Sequence, residues 1–288
     1  MQNIEDLCND VKVCLTDLRD ERNCLRVTKH QDYVIQLAAN MGGIGYITKI
    51  GADIMRDNFL ININMLHSVY RNKVKRYFYS SSACIYPECL QRNTEVIPLK
   101  ESDAYPADPD QFYGWEKLGT EKMCEAYQRD YQMDIRIARF HNIYGEAYTA
   151  FDKQKGKAPC HMIMKAIKYP DEPYVVWGDG NQTRSFLYIS DCVEAILELL
   201  DSGFDKPINI GTDYLVSMND LAQIAIKKSG KQITIEHDLM KPTGVRGRNA
   251  DLTLIKAVLG WSPKVSLETG MDKVYDWAVE NLDKLENI

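Results

Sequence analysis

The sequence predicts an α/β protein: a doubly wound parallel sheet with a smaller second domain interleaved into its C-terminal half. Apolar strand-like runs at 34–37, 74–79 and 135–140 alternate with amphipathic helical stretches near 54–71 and 116–131, and that alternation is the signature of βαβ units. After Gly145 the pattern loosens into a segment containing Lys, Pro and Gly, and apolar runs at 185–189 and 208–210 then return to the sheet. The expected division is therefore 1–145 with 181–215 for the larger domain, and 146–180 with 216–288 for the smaller.

Taken in order, the first six residues are polar and helix-like, and the first plausible strand is 11–15, leading into TDLRD. The strand at 34–37 opens LAANMGGIGY, whose Gly42 and Gly43 allow close backbone approach. The strand at 74–79 runs into Ser80, Ser81 and Ser82, followed by Cys84. The strand at 135–140 ends in the polar His141 and Asn142. In the tail LIKAVLGWSPKVSLETGM, Leu259 and Trp261 are expected to pack. No internal repeat or low-complexity tract interrupts the chain.

Composition narrows the class. With 288 residues, 45% hydrophobic and 26% charged, usage is that of an ordinary globular protein. The net charge of -6 argues against a nucleic-acid binder, while leaving local basic pockets for phosphates. No run approaches the ~18 apolar residues of a membrane span and no apolar leader follows the start, so a cytoplasmic location is expected. Eight cysteines without a C-x-x-C pair suggest free thiols rather than a disulfide framework or a zinc site.

The chemistry concentrates around YGWEK, which sets Tyr113 and Lys117 four positions apart, on one face of a helix. A lysine near a tyrosine favours the phenolate, and the lowered pKa suits a base that takes an alcohol proton as hydride leaves. Ligands of open parallel sheets bind outside the carboxyl ends of the strands, so Ser82 is expected to hydrogen-bond a substrate oxygen beside Tyr113. A thiol at Cys84 and a buried amine form an acid and a base for proton exchange next to a carbonyl. Arg184, Arg246 and Arg248 are candidates for a diphosphate, since guanidinium forks match phosphate oxygens.

The strand, serine, tyrosine and lysine together resemble the active site of the extended short-chain dehydrogenase/reductases, whose sheet is Rossmann-like. Four further stretches are similar to the GDP-mannose 3,5-epimerase family: LAANMGGIGY, SSSACIYPE, RFHNIYG with KGKAP, and WGDGNQTRSF with GVRGRN. The resemblance implies a resident NAD that oxidises C4 of the hexose of GDP-mannose, proton exchange at C3 and C5 by Cys84 and Lys157, and re-reduction to GDP-L-galactose, a step of ascorbate biosynthesis. It implies NAD contacts from Asp17, Tyr113 and Lys117. It implies substrate contacts from Gly42, Gly43, Ser82, Ala83, Cys84, Asn142, Lys157, Lys165, Gln182, Arg184, Arg246 and Arg248. A homodimer through the helices carrying YGWEK and residues 54–71 is also implied, and His141 is expected to be structural.

The sequence departs from that pattern at its N-terminus. The strand, G-x-x-G-x-x-G turn and helix that hold a dinucleotide pyrophosphate are absent from it, so an N-terminally truncated sheet is expected, with 11–15 as the family's third strand and Asp17 toward the adenine. Two alternatives follow. One is a GDP-4-keto-sugar epimerase/reductase using NADPH; the other is an inactive relative that binds a nucleotide sugar or pairs with another subunit.

Overall fold

The computed structural model describes residues 11–109 and 111–286; the helix-like reading of residues 1–6 lies outside them. Helix α1 (Glu21–Thr28) is capped by Asp20, whose carboxylate accepts the Arg22 amide. Strand β1 (Tyr33–Gln36), helix α2 (Gly51–Arg71), β2 (Arg76–Ser82), helix α3 (Phe112–Tyr131) and β3 (Ile135–Phe140) follow, and β8 (Pro207–Ile210) completes a parallel sheet in the order β1-β2-β3-β8.

The alternating side chains of these strands divide between two cores. Tyr77, Tyr79, Ile135 and Ile137 pack with Leu66 and Val69 of α2 and Cys124 of α3. On the other face, Phe78, Ala138, Ile208 and Ile210 pack against Cys192, Ala195 and Leu199 of helix α5 (Ile189–Asp201) and against Trp261. Helices thus cover both faces, as a doubly wound sheet requires. Two arginines interrupt the apolar run of β3, and both are paired. Arg139 meets Glu121 of α3 at 2.8 Å with both side chains buried, and Arg136 donates to the Ser202 carbonyl at 2.6 Å, beyond the end of α5.

A further core gathers Phe151, Ile163 of α4 (Ala158–Lys168), Tyr174 and Val176 of β5 (Tyr174–Trp177), Leu221 of α6 (Met218–Ser229), and Met271 and Val274 of α8 (Leu267–Glu280). Short strands surround it. Strand β5 pairs with β10 (Ile235–Asp238), β4 (Ile143–Tyr144) with β7 (Leu187–Tyr188), and β6 (Thr183–Arg184) lies between β9 (Val216–Ser217) and β11 (Gly247–Arg248). The intervening helix α7 (Thr253–Leu259) ends at Gly260, in the left-handed region, which places Trp261 in the sheet core.

Two expectations need correction. Residues 11–15 form no strand: Val11, Val13 and Leu15 are 49%, 48% and 70% exposed, because no neighbouring strand pairs with this segment among the described residues. The run at 185–189 does not rejoin the main sheet, since β8 already occupies the position beside β3. Instead β7 pairs with β4 and leads directly into α5.

Candidate active site

Because β1, β2 and β3 are parallel, their carboxyl ends open on one side, where Leu37, Ser80 to Ser82, Phe140 and Asn142 line a cavity of about 520 Å³. Helix α3 brings Tyr113 and Lys117 to the same place. Its first turn lies directly on the cysteine loop, and a Cβ on Gly114 would stand 2.0 Å from the Cys84 carbonyl oxygen.

Ser82 links the loop to the helix. Its hydroxyl accepts the Cys84 amide N–H at 3.2 Å and lies near enough to the Tyr113 hydroxyl to favour its charged form. Lys117 is buried, donates to the Ser80 carbonyl at 2.8 Å, and sits 5.6 Å from the centroid of the Tyr113 ring. The expected lowering of the tyrosine pKa is not what the protein's own groups produce. Burial, with Cys84 and Glu116 in the same sense, pushes the Tyr113 hydroxyl up. Burial also pushes Lys117 down, opposed by Glu116 and Glu121. Desolvation penalises both charged forms and outweighs the pairing that the spacing suggested.

Opposite the serine, Cys84 Sγ accepts a hydrogen bond from Arg248 Nη1 at 3.3 Å. Lys157, at the N-cap of α4, shares the cavity. Its amine is pushed below the ordinary lysine range by burial, with Arg248 acting in the same sense and Cys84 against it. Of its neighbours, Lys153 lines the cavity but is exposed, and Lys155 lies 4.9 Å over the Tyr46 ring.

The remaining predicted residues divide. Gly42, Gly43, Ala83, Asn142, Lys165, Gln182, Arg184 and Arg248 all line the cavity. Asn142 adopts φ 45° and donates to the Ser185 carbonyl at 3.0 Å. Burial pushes Lys165 down while it donates to the Val175 carbonyl. Arg184 donates to the carbonyls of Thr183 and Thr243. Gln182 gives its amide to the Trp177 carbonyl at 2.9 Å, and its buried Oε1 has no partner, an acceptor left for a ligand donor.

Arg246 lies outside this cavity, paired with Asp179 at 3.1 Å. Asp17 also lies outside it, in a small cleft with Ala38, Asn40 and Asp57, exposed and bound to Arg19 at 2.7 Å. His141 is buried beside the site, its Nε2 3.0 Å from Asn209 Oδ1, as expected of a structural histidine. Sequence reasoning missed Gln91, whose Oε1 accepts the Arg248 Nε. It stands in the polar stretch ECLQRN, without periodicity or motif to mark it.

A parallel sheet with a Ser-Tyr-Lys set at its carboxyl edge is the apparatus of an enzyme that moves hydride, and the chain belongs to the NAD dependent epimerase/dehydratase family, whose model matches residues 2–211. It is 46% identical over 270 residues to the GDP-mannose 3,5-epimerase of Arabidopsis thaliana, covering 94% of this chain and 71% of that protein. Identity to the putative GDP-L-fucose synthase 2 of the same plant is 32% over 260 residues, 88% of this chain and 78% of that one. The UDP-glucose 4-epimerase of Thermotoga maritima, solved with UDP-glucose, superposes with a TM-score of 0.87 at 24% identity, over 97% of this chain and 88% of that chain, a likeness of fold.

Proposed function

We propose that this chain is a GDP-mannose 3,5-epimerase that uses NAD to convert GDP-D-mannose to GDP-L-galactose. The observation that carries the reading is that Cys84 and Lys157 line the same cavity as the Ser82–Tyr113 pair, so one bound sugar can meet a hydride-transfer set and a proton-exchange set.

The residues present fit the nicotinamide half of NAD. Apolar Leu37 and Phe140 line the cavity beside the buried Tyr113 and Lys117, at the strand ends where open α/β sheets bind dinucleotides. Asp17, in the cleft beyond β1, is proposed for the adenine side. When bound, NAD would supply reversible hydride transfer at C4 of the hexose. Tyr113, beside Ser82, is proposed to exchange the C4 hydroxyl proton, its phenolate needing the positive charge of a bound nicotinamide because burial alone favours the neutral phenol. Lys157, held toward its neutral form by burial, removes a proton from carbon next to the C4 carbonyl. Cys84 delivers a proton to the opposite face, inverting that carbon, with Arg248 donating to its sulfur. Asn142, Lys165, Gln182, Arg184 and Arg248 are proposed to hold the nucleotide sugar, Lys165 and Arg248 from within residues 146–180 and 216–288. Ascorbate biosynthesis is the proposed pathway.

A homodimer through α2 and α3 is part of the proposal, supported by the exposed Leu60, Ile63 and Trp115 on those helices. A cytoplasmic location is proposed from the thiol-rich composition. Among the described residues no helix is long and apolar enough to cross a membrane.

The test is incubation with GDP-mannose and NAD in D₂O, read by NMR of the nucleotide sugars. Deuterium at C3 and C5 with formation of GDP-galactose is the expected result, and Cys84→Ala is expected to block formation of GDP-galactose while C4 oxidation persists. Reduction of a GDP-4-keto sugar by NADPH without exchange from GDP-mannose would replace the reading by the reductase one.

A further inference from the structure

Gln91 ends the short turn Glu88–Gln91 and is fully buried. Its carboxamide faces two ways. The NH₂ group donates to the carbonyls of Tyr86 and Pro87, both at 3.1 Å, just past Cys84 in the chain. The Oε1 accepts from Arg248 Nε, while the Gln91 backbone carbonyl accepts the Arg246 amide at 2.9 Å. One amide therefore ties the cysteine loop to the arginine strand. The Nη1 of that same arginine donates to Cys84 Sγ at 3.3 Å.

From this geometry we infer that Gln91 is a positioning residue for proton exchange at Cys84, a role that rests on the epimerase reading above. A guanidinium is a rigid plane, so gripping its Nε fixes the direction of Nη1. Without the Gln91 acceptor the Arg248 Nε–H loses this buried partner, and the guanidinium turns toward other acceptors. The sulfur then loses its cationic donor. A plain staple would have served with both ends on backbone; here one end is spent on a side chain of the site.

Gln91→Met keeps the buried volume and removes both polar groups. The experiment follows alkylation of Cys84 in the full chain by iodoacetamide at pH 7, resolved by peptide mass spectrometry, with exposed Cys14 as internal reference. Only the thiolate is alkylated, so loss of the oriented donor is expected to slow Cys84 about 3- to 10-fold. A staple role alone loosens the loop and speeds alkylation. Faster or unchanged reaction overturns the inference. Should Gln91→Met fail to fold, Arg248→Lys serves: an ammonium is a point charge that cannot grip Gln91 and reach the sulfur together, so the same slowing is expected and an unchanged rate overturns the role. Neither substrate nor turnover enters this readout. An idle protein whose variant reacts slowly removes the epimerase reading alone, whereas an active one whose variant reacts normally removes the role of Gln91.

Discussion

His141 lies against the site without lining its cavity, and its surroundings give it a measurable signature. Burial, opposed by the Asn209 hydrogen bond, lowers its pKa from 6.5 to about 3. Below pH 6.5 the unfolded chain binds a proton that the folded chain does not, so this residue makes stability fall as pH drops, by about 1.4 kcal/mol per unit, down to pH ~3. Between pH 7 and 5 the expected loss is about 2 kcal/mol. Urea unfolding at both values should show a smaller loss in His141→Gln, and equal losses would refute the account. Ser82, Cys84 and Tyr113 stood out as candidates in the sequence because motif and strand-end position coincide there, and the structure brings all three to one cavity. Arg246 pairs with Asp179 outside the cavity, an engagement that spacing cannot reveal. The shift at Tyr113 was misread because a sequence displays neighbours but not desolvation.

Among the elements, α3 makes the sharpest demand on a single position. Gly114 sits near the start of this 20-residue helix, and helix propensity alone favours Gly→Ala by about 1 kcal/mol. Here a Cβ would meet the Cys84 carbonyl oxygen at 2.0 Å and Pro109 Cβ at 2.8 Å, forcing α3 off the loop. Overpacking of that kind costs about 1–3 kcal/mol. Gly114→Ala is therefore expected to lower the thermal midpoint and to reduce kcat at least about 10-fold, because a displacement near 1 Å at the reacting groups costs about 10²-fold; a more stable, fully active variant would show that propensity wins. Strands and helices with strong periodicity were readable from the sequence. Residues 11–15 and 185–189 were not, since an apolar run does not reveal whether a partner strand is available to it.

For the molecule as a whole, the exposed row of Leu60 and Ile63 on α2, with Trp115 on α3, predicts association through that face. Sedimentation of the purified chain should give a dimer and Ile63→Arg a monomer; a wild-type monomer would refute the proposed interface. The two-faced sheet was legible from alternation alone, whereas the small sheets around the further core were hidden by strands such as β4, β6 and β7 that are two residues long. The buried pair between Arg139 and Glu121 acts across this architecture. Tyr113, Lys117 and Glu121 recur every four residues along α3 and so share one flank of it. Pinning Glu121 to the middle layer of the sheet sets the azimuth of the whole helix about its own axis, much as a key sets the phase of a shaft, and the tyrosine two turns away inherits its bearing from an ion pair it never touches.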